Sequence, residues 1–163
     1  MCKFAIRFFC LLLCCACIAF CSSCSESTSS PVTITDLNTP YQSNSLKIEF
    51  SDLNVVEATS KDSEKNIKVS TTVIIENLSN NELVLGRFCL QTYVDDVLVD
   101  NTISPVNLAP GKRAEVKHDV SVSKEAKKIE YYFYEPLKNG TGDKHVATFA
   151  FDIPSVEKVA TTT

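Results

Sequence analysis

Tryptophan is absent from this 163-residue chain, and seven of its eight cysteines crowd into the first 24 residues. Only Cys89 remains for a folded part. A lone thiol makes no internal disulfide, and no Cys/His spacing of the zinc type survives. The body of the protein therefore has to stand on an apolar core, and about 115–120 residues suffice for one. No run of basic residues occurs, which argues against nucleic-acid binding. No segment sustains a helical period, and Gly140-Thr-Gly142 makes no phosphate loop because no helix pattern follows it. The immunoglobulin cysteine pair and core tryptophan are missing as well.

What is present begins with the N-terminus. Lys3 and Arg7 precede an apolar run from about Phe8 to Cys21, the layout of a secretory signal peptide. At about 14 residues the run is short of the roughly 20 that cross a bilayer. Small Ser22 and Ser23 stand directly before Cys24, and serine-rich residues 25–30 follow. This end resembles the cleavage box of bacterial lipoproteins, which implies a lipidated Cys24 at the new N-terminus. Cys17, preceded by small Ala16, is the second candidate, but bulky Ile18 follows it instead of a polar tether. An uncleaved N-terminal anchor is the alternative for the whole segment. Loss of residues 1–23 removes two basic residues and no acidic one, leaving 14 basic against 20 acidic residues and a net charge of −6. The reading divides the chain into a signal peptide (1–23), a Ser/Thr/Asn/Pro-rich tether (24–45), a folded domain (46–153) and a tail (154–163). Residues 32–35 are an optional edge strand within the tether.

From residue 46 the pattern has period two, the mark of half-buried strands. Leu46, Ile48 and Phe50 alternate with Lys47 and Glu49, and a second short strand is expected over residues 53–58. The strongest segment, 66–77, puts Ile67, Val69, Thr71, Val73 and Ile75 on one face. Residues 82–94 read as one strand bent at Gly86-Arg87. Asp95-Asp96 is a two-residue hairpin turn, and Ala109-Pro110-Gly111-Lys112 is a type II turn. Residues 113–122 alternate cleanly, 129–134 are aromatic strand, and 146–153 close the sheet. Strands at this spacing predict an all-β fold, an antiparallel immunoglobulin-like sandwich of seven to nine strands, with an open barrel as the other option.

Four features together resemble a family of small bacterial lipoprotein domains of unknown function that are related to the immunoprotective extracellular proteins. They are the lipobox, the strand ending Ile75-Glu76-Asn77 before an Asn/Ser turn, the Tyr93–Leu98 hairpin and Leu108-Ala-Pro-Gly111. The resemblance spans residues 46–153 and implies an immunoglobulin-like sandwich; it carries no activity.

Chemistry is sparse. His118 falls on the apolar face of its strand and reads as a core or rim residue. His145 reads as a loop histidine with Asp143 as a possible partner. Cys89 lies mid-strand without a base nearby. Asp95, Asp96 and Asp100 have the oxygens to hold Ca²⁺, but spaced around a hairpin they read as a solvated turn. No catalytic set, metal site or cofactor is expected. The surface feature is Tyr132/Tyr134. Charged Glu130 should not be buried unpaired, so the even positions of that strand face outward. Paired tyrosines suit contact with a partner, having apolar area and a polar tip; cross-strand packing is their other use. The chain is expected to be a lipid-anchored module on the extracytoplasmic face of the cell membrane that binds a protein or other envelope component. A hydrolase on the same scaffold and a structural subunit of a surface assembly are the rivals.

Overall fold

A computed structural model describes residues 30–57, 66–136 and 143–155. The leader, Cys17 and Cys24, the loop around 58–65, the Gly140-Gly142 loop and the tail beyond 155 lie outside the described residues. Eleven strands are described: β1 (Val32–Ile34), β2 (Tyr41–Gln42), β3 (Leu46–Glu57), β4 (Asn66–Asn77), β5 (Leu83–Leu85), β6 (Leu90–Val94), β7 (Val97–Asp100), β8 (Val106–Leu108), β9 (Arg113–Ser123), β10 (Lys128–Pro136) and β11 (Asp143–Asp152). Five form one sheet in the order β1-β11-β10-β6-β7, and four form another in the order β2-β3-β4-β9. The remaining two make a ribbon, β5-β8. The expected sandwich is what forms, with nine strands in its two main sheets and the ribbon added; the barrel is not formed.

The inward faces follow from the alternation. Ile67, Val69, Thr71, Val73 and Ile75 of β4 are all buried. Its antiparallel register sets Val69 opposite Val120 and Val73 opposite Val116 of β9, so the even positions of β9 turn inward. From the other sheet Ile129, Tyr131 and Phe133 of β10 and Ala147 and Phe149 of β11 complete the core, all at 0% exposure. Phe50 lies at its centre, with ring centroids 4.6 Å from Tyr131, 4.6 Å from Phe149 and 5.8 Å from Phe151.

Three readings are corrected. The folded body begins at Val32, not at residue 46: β1 pairs in parallel with β11, β2 pairs with β3, and the Ser43 hydroxyl donates to Glu135 at 2.7 Å. Residues 32–45 thus belong to the folded body rather than to the expected tether. Residues 46–57 are one strand, not two, because a bulge between Phe50 and Leu53 shifts the register. The extra residue reverses which positions face inward, so the alternation looks like two segments. The Thr71 hydroxyl donates to the Asp52 carbonyl that the bulge frees. Residues 82–94, read as one bent strand, divide at Gly86–Cys89 between the ribbon and the five-stranded sheet.

The turns form as expected. Asp95 and Asp96 have φ of 46° and 66°, the two positive values of the hairpin turn that suits strand twist. Gly111 takes φ of 68° after Pro110, and the Lys112 N–H closes the turn on the Ala109 carbonyl at 3.1 Å.

Candidate functional site

The outer face of β10 carries the aromatic feature. Ile129, Tyr131 and Phe133 point into the core, which sends Glu130, Tyr132 and Tyr134 to the other side of the sheet. Glu130 is only 8% exposed, and Lys128 answers its charge with Nζ 2.8 Å away. Tyr132 and Tyr134 are half-buried rather than free, because neighbours on both adjacent strands pack against them. Tyr93 of β6 packs on Tyr132 at a tilt of 34°, with centroids 4.6 Å apart. On the β11 side His145 lies against Tyr132 at 4.7 Å and an interplanar angle of 8°. His145 also stacks on Tyr134 at 5.1 Å.

The result is a four-ring row across three strands. Tyr132 thus has a ring contact from each neighbouring strand, Tyr93 from β6 and His145 from β11. The Tyr93 and Tyr134 hydroxyls both donate to Gln91 Oε1, at 3.1 and 3.3 Å. Burial among the rings raises the pKa of Tyr132 and Tyr134 above the usual tyrosine range, and Glu130 adds to the effect at Tyr132. Both hydroxyls are thus protonated donors at neutral pH.

Tyr93, Gln91 and His145 are absent from the sequence-level site. Tyr93 was legible, since Thr92 and Val94 alternate around it as core residues. His145 was not, because a register shift between Phe133 and Tyr134 sets Tyr134 opposite His145. The imidazole uses neighbours on its own strand instead of Asp143: Nε2 lies 3.1 Å from the Ala147 carbonyl and 3.0 Å from Thr148 Oγ1. A carbonyl only accepts, so Nε2 carries the hydrogen in that contact.

The other candidates resolve into structure. Asp95 accepts from the backbone N–H groups of Lys127 and Lys128 at 3.2 and 3.0 Å, tying the hairpin to the start of β10. Asp100 accepts from the N–H and hydroxyl of Thr102. Among the described residues no three His, Cys, Asp or Glu side chains converge as a metal site. Cys89 is buried, and that burial is the main cause pushing its thiol pKa up to about 11, so the reactive thiolate is disfavoured.

His118 is buried between the sheets, where Nε2 lies 2.9 Å from Thr92 Oγ1 on β6. This hydroxyl–imidazole pair is the arrangement closest to a hydrolase constellation, with Asp100 and Asp119 in electrostatic reach. Thr92, however, is 1% exposed, so its hydroxyl bridges the sheets and faces no substrate. Burial lowers the His118 pKa, against smaller opposing effects of Asp100 and Asp119. The unfolded chain therefore takes up a proton near pH 6.5 that the folded one refuses. Stability is full above that pH and falls as the pH drops below it. In melts between pH 7.5 and 5, His118→Gln should flatten this dependence while still reaching Thr92. An unchanged slope would assign the acid sensitivity to other groups.

No known family matches the sequence, and no curated protein matches it. Solved structures do resemble the fold. The candidate lipoprotein ycdA of Bacillus subtilis superposes with a TM-score of 0.55 at 16% identity, covering 76% of this chain and 40% of its own. The present chain thus spans about two-fifths of that protein's length. An uncharacterised β-sandwich protein from Clostridium difficile gives a TM-score of 0.45 at 10% identity, covering 81% of this chain and 100% of its own. The yjhA protein of Bacillus subtilis gives 0.45 at 11%, covering 76% and 99%. The likeness to ycdA is one of fold alone, and none of the three structures is an immunoprotective extracellular protein.

Proposed function

We propose that this chain is a lipid-anchored sandwich on the extracytoplasmic face of the cell membrane, binding a protein or other envelope component without catalysis. The observation that carries the binding role is the Tyr93–Tyr132–His145–Tyr134 row. Four rings spent on the solvent side of a sheet form a rigid platform that loses little side-chain freedom on contact. Because Tyr132 and Tyr134 are half-buried by their neighbours, their hydroxyls are prominent in what a partner meets, and the partner has to supply hydrogen-bonding groups. The anchoring role rests on Ser22-Ser23-Cys24 and the serine-rich stretch after it. Two or more acyl chains at Cys24 would hold the protein stably, whereas one alone is marginal at about 0.8 kcal/mol per buried methylene. No cofactor, metal or nucleic acid enters this reading, and membership of the lipoprotein-domain family resembled above belongs with it as a proposal.

The test has two arms. A clickable fatty acid fed to the cells should label the wild type and spare Cys24→Ser; label on the mutant moves the lipid to Cys17. Capture of partners from detergent-solubilised envelope should weaken in Tyr132→Phe/Tyr134→Phe, which keeps the stack and removes two hydroxyls, and vanish in the double alanine variant. Since the rings pack on their neighbours, the alanine pair should cost about 1–2 kcal/mol. Undiminished capture by folded variants would end the binding role of this face.

A further inference from the structure

β9 has β4 along one side and, among the described residues, no strand along the other. At 11 residues this edge runs roughly 35 Å, and no described strand pairs with its outward N–H and C=O groups, although Arg87 and residues 102–105 lie beside Lys117–Asp119. The segment joining β7 to β8 passes nearby without pairing to it. There the Ile103 N–H donates to the Arg87 carbonyl, and a cavity of about 300 Å³ is lined by Thr102, Ser104, Lys117 and His118. Beside this edge the sandwich is open and apolar. Val97 and Val99 of β7 are 63% and 43% exposed, and Ala114 and Val116 of β9 are half-buried although they face the core.

The outer face of β9 carries Arg113, Glu115, Lys117 and Asp119, all exposed and alternating in sign, with Arg113 paired to Glu115 at 2.6 Å and Asp119 to Lys68 of β4 at 2.7 Å, surface pairs that can exchange partners. Charged residues on an edge usually repel a neighbouring strand. A guard of one sign repels a copy of itself in every register, whereas an alternating row does not. In an antiparallel pair about a two-fold axis at Val116, Arg113 of each copy stands opposite Asp119 of the other, and Glu115 opposite Lys117. All four outer-face contacts join unlike charges. Sliding the pair by two residues either way sets Arg113 against Lys117 or Glu115 against Asp119, so every contact becomes one of like charge. Such directly opposed charges favour or disfavour the pairing according to sign.

We infer that the free edge of β9 is a self-association surface, and that its occupant is the β9 strand of a second copy of this chain, paired antiparallel about Val116. The two four-stranded sheets then form one continuous sheet, and the pattern of charges sets its register. The contact is isologous, so it closes at two copies.

The full chain in detergent micelles, followed by sedimentation equilibrium, tests this. The wild type should dimerise. Glu115→Lys alone and Lys117→Glu alone each create two like-charge pairs and should raise the dissociation constant roughly tenfold or more. The reversed double variant should recover the wild-type value, and the two single variants mixed should pair with each other in preference to themselves. Both positions are exposed, so circular dichroism should show the fold unchanged. A monomeric wild type, single variants as tight as the wild type, or a mixture with no preference would each overturn the proposal.

Discussion

Phe50→Ala is expected to remove about 3–5 kcal/mol of folding stability, a large share of the roughly 5–15 kcal/mol a domain has. The side chain is 0% exposed and packs on Tyr131, Phe149 and Phe151, which come from both strands at the centre of the opposite sheet. Removing it deletes the transfer energy of the ring and opens a cavity. The rings around it cannot collapse into that space, because their own strands are held by pairing on both sides. The bulge after Phe50 adds a second effect, since the ring is the last inward residue before the phase of β3 reverses. Without tryptophan the signal would be tyrosine fluorescence or far-ultraviolet circular dichroism under urea. The midpoint should fall with little change in slope, and Phe50→Leu should lose less than half as much. A loss below 1 kcal/mol for the alanine variant would mean that the two sheets are not packed through this residue.

The same residue illustrates how far sequence reading reaches. Leu46, Ile48 and Phe50 are legible as core because each is flanked by charged or polar side chains, and the odd positions of β4 are legible for the same reason. What alternation lacks is any record of which strand lies alongside. Leu83 and Leu85 keep the same period as Leu90, Thr92 and Val94, yet the first pair with β8 and the second with β10. β1 pairs in parallel, which no local propensity encodes. At the aromatic face the direction of Tyr132 and Tyr134 was legible from Glu130 and the inward residues between. Their half-burial was not, because it depends on Tyr93 and His145 arriving from two other strands.

Edge strands are where the sandwich's chemistry and its charge meet. β7 is short, carries a register shift against β6, and begins after a turn whose Asp95 is spent on the backbone of Lys127 and Lys128. Such brevity and irregularity protect an edge. β9 has neither protection: its pairing to β4 runs without a shift from Arg113 to Ser123. Regularity on the inner side leaves regular spacing on the outer one, which is what a second strand needs.

The other large effect is expected at Asn77, the last residue of β4, where a polar side chain is 0% exposed. Its Nδ2 donates to the carbonyls of Asn81 at 2.7 Å and Leu108 at 2.9 Å. Its Oδ1 accepts from the N–H and hydroxyl of Ser79 at 2.9 and 2.8 Å. Its backbone closes on Lys112 and Gly111, so one residue joins the end of β4 to the turns before β5 and after β8. Asn77→Ala strands the Leu108 carbonyl and the Ser79 N–H, while the Asn81 carbonyl keeps the Ser79 hydroxyl at 2.9 Å, and should cost about 2–4 kcal/mol. Asn77→Asp, although nearly identical in shape, should cost more near neutral pH, because an acceptor-only carboxylate then faces two carbonyl oxygens in a buried site. Burial favours its protonated form, so its folded pKa lies above the ordinary aspartate value of about 3.9. For a raised carboxyl pKa the folded state holds the proton more tightly, so the penalty is smallest below about pH 4 and grows as the pH rises. Urea midpoints for the aspartate variant relative to wild type, taken at pH 4 and pH 7, should therefore diverge, while the alanine variant keeps a constant offset. A pH-independent offset for the aspartate variant would place the side chain in water and remove Asn77 as the tie between these turns.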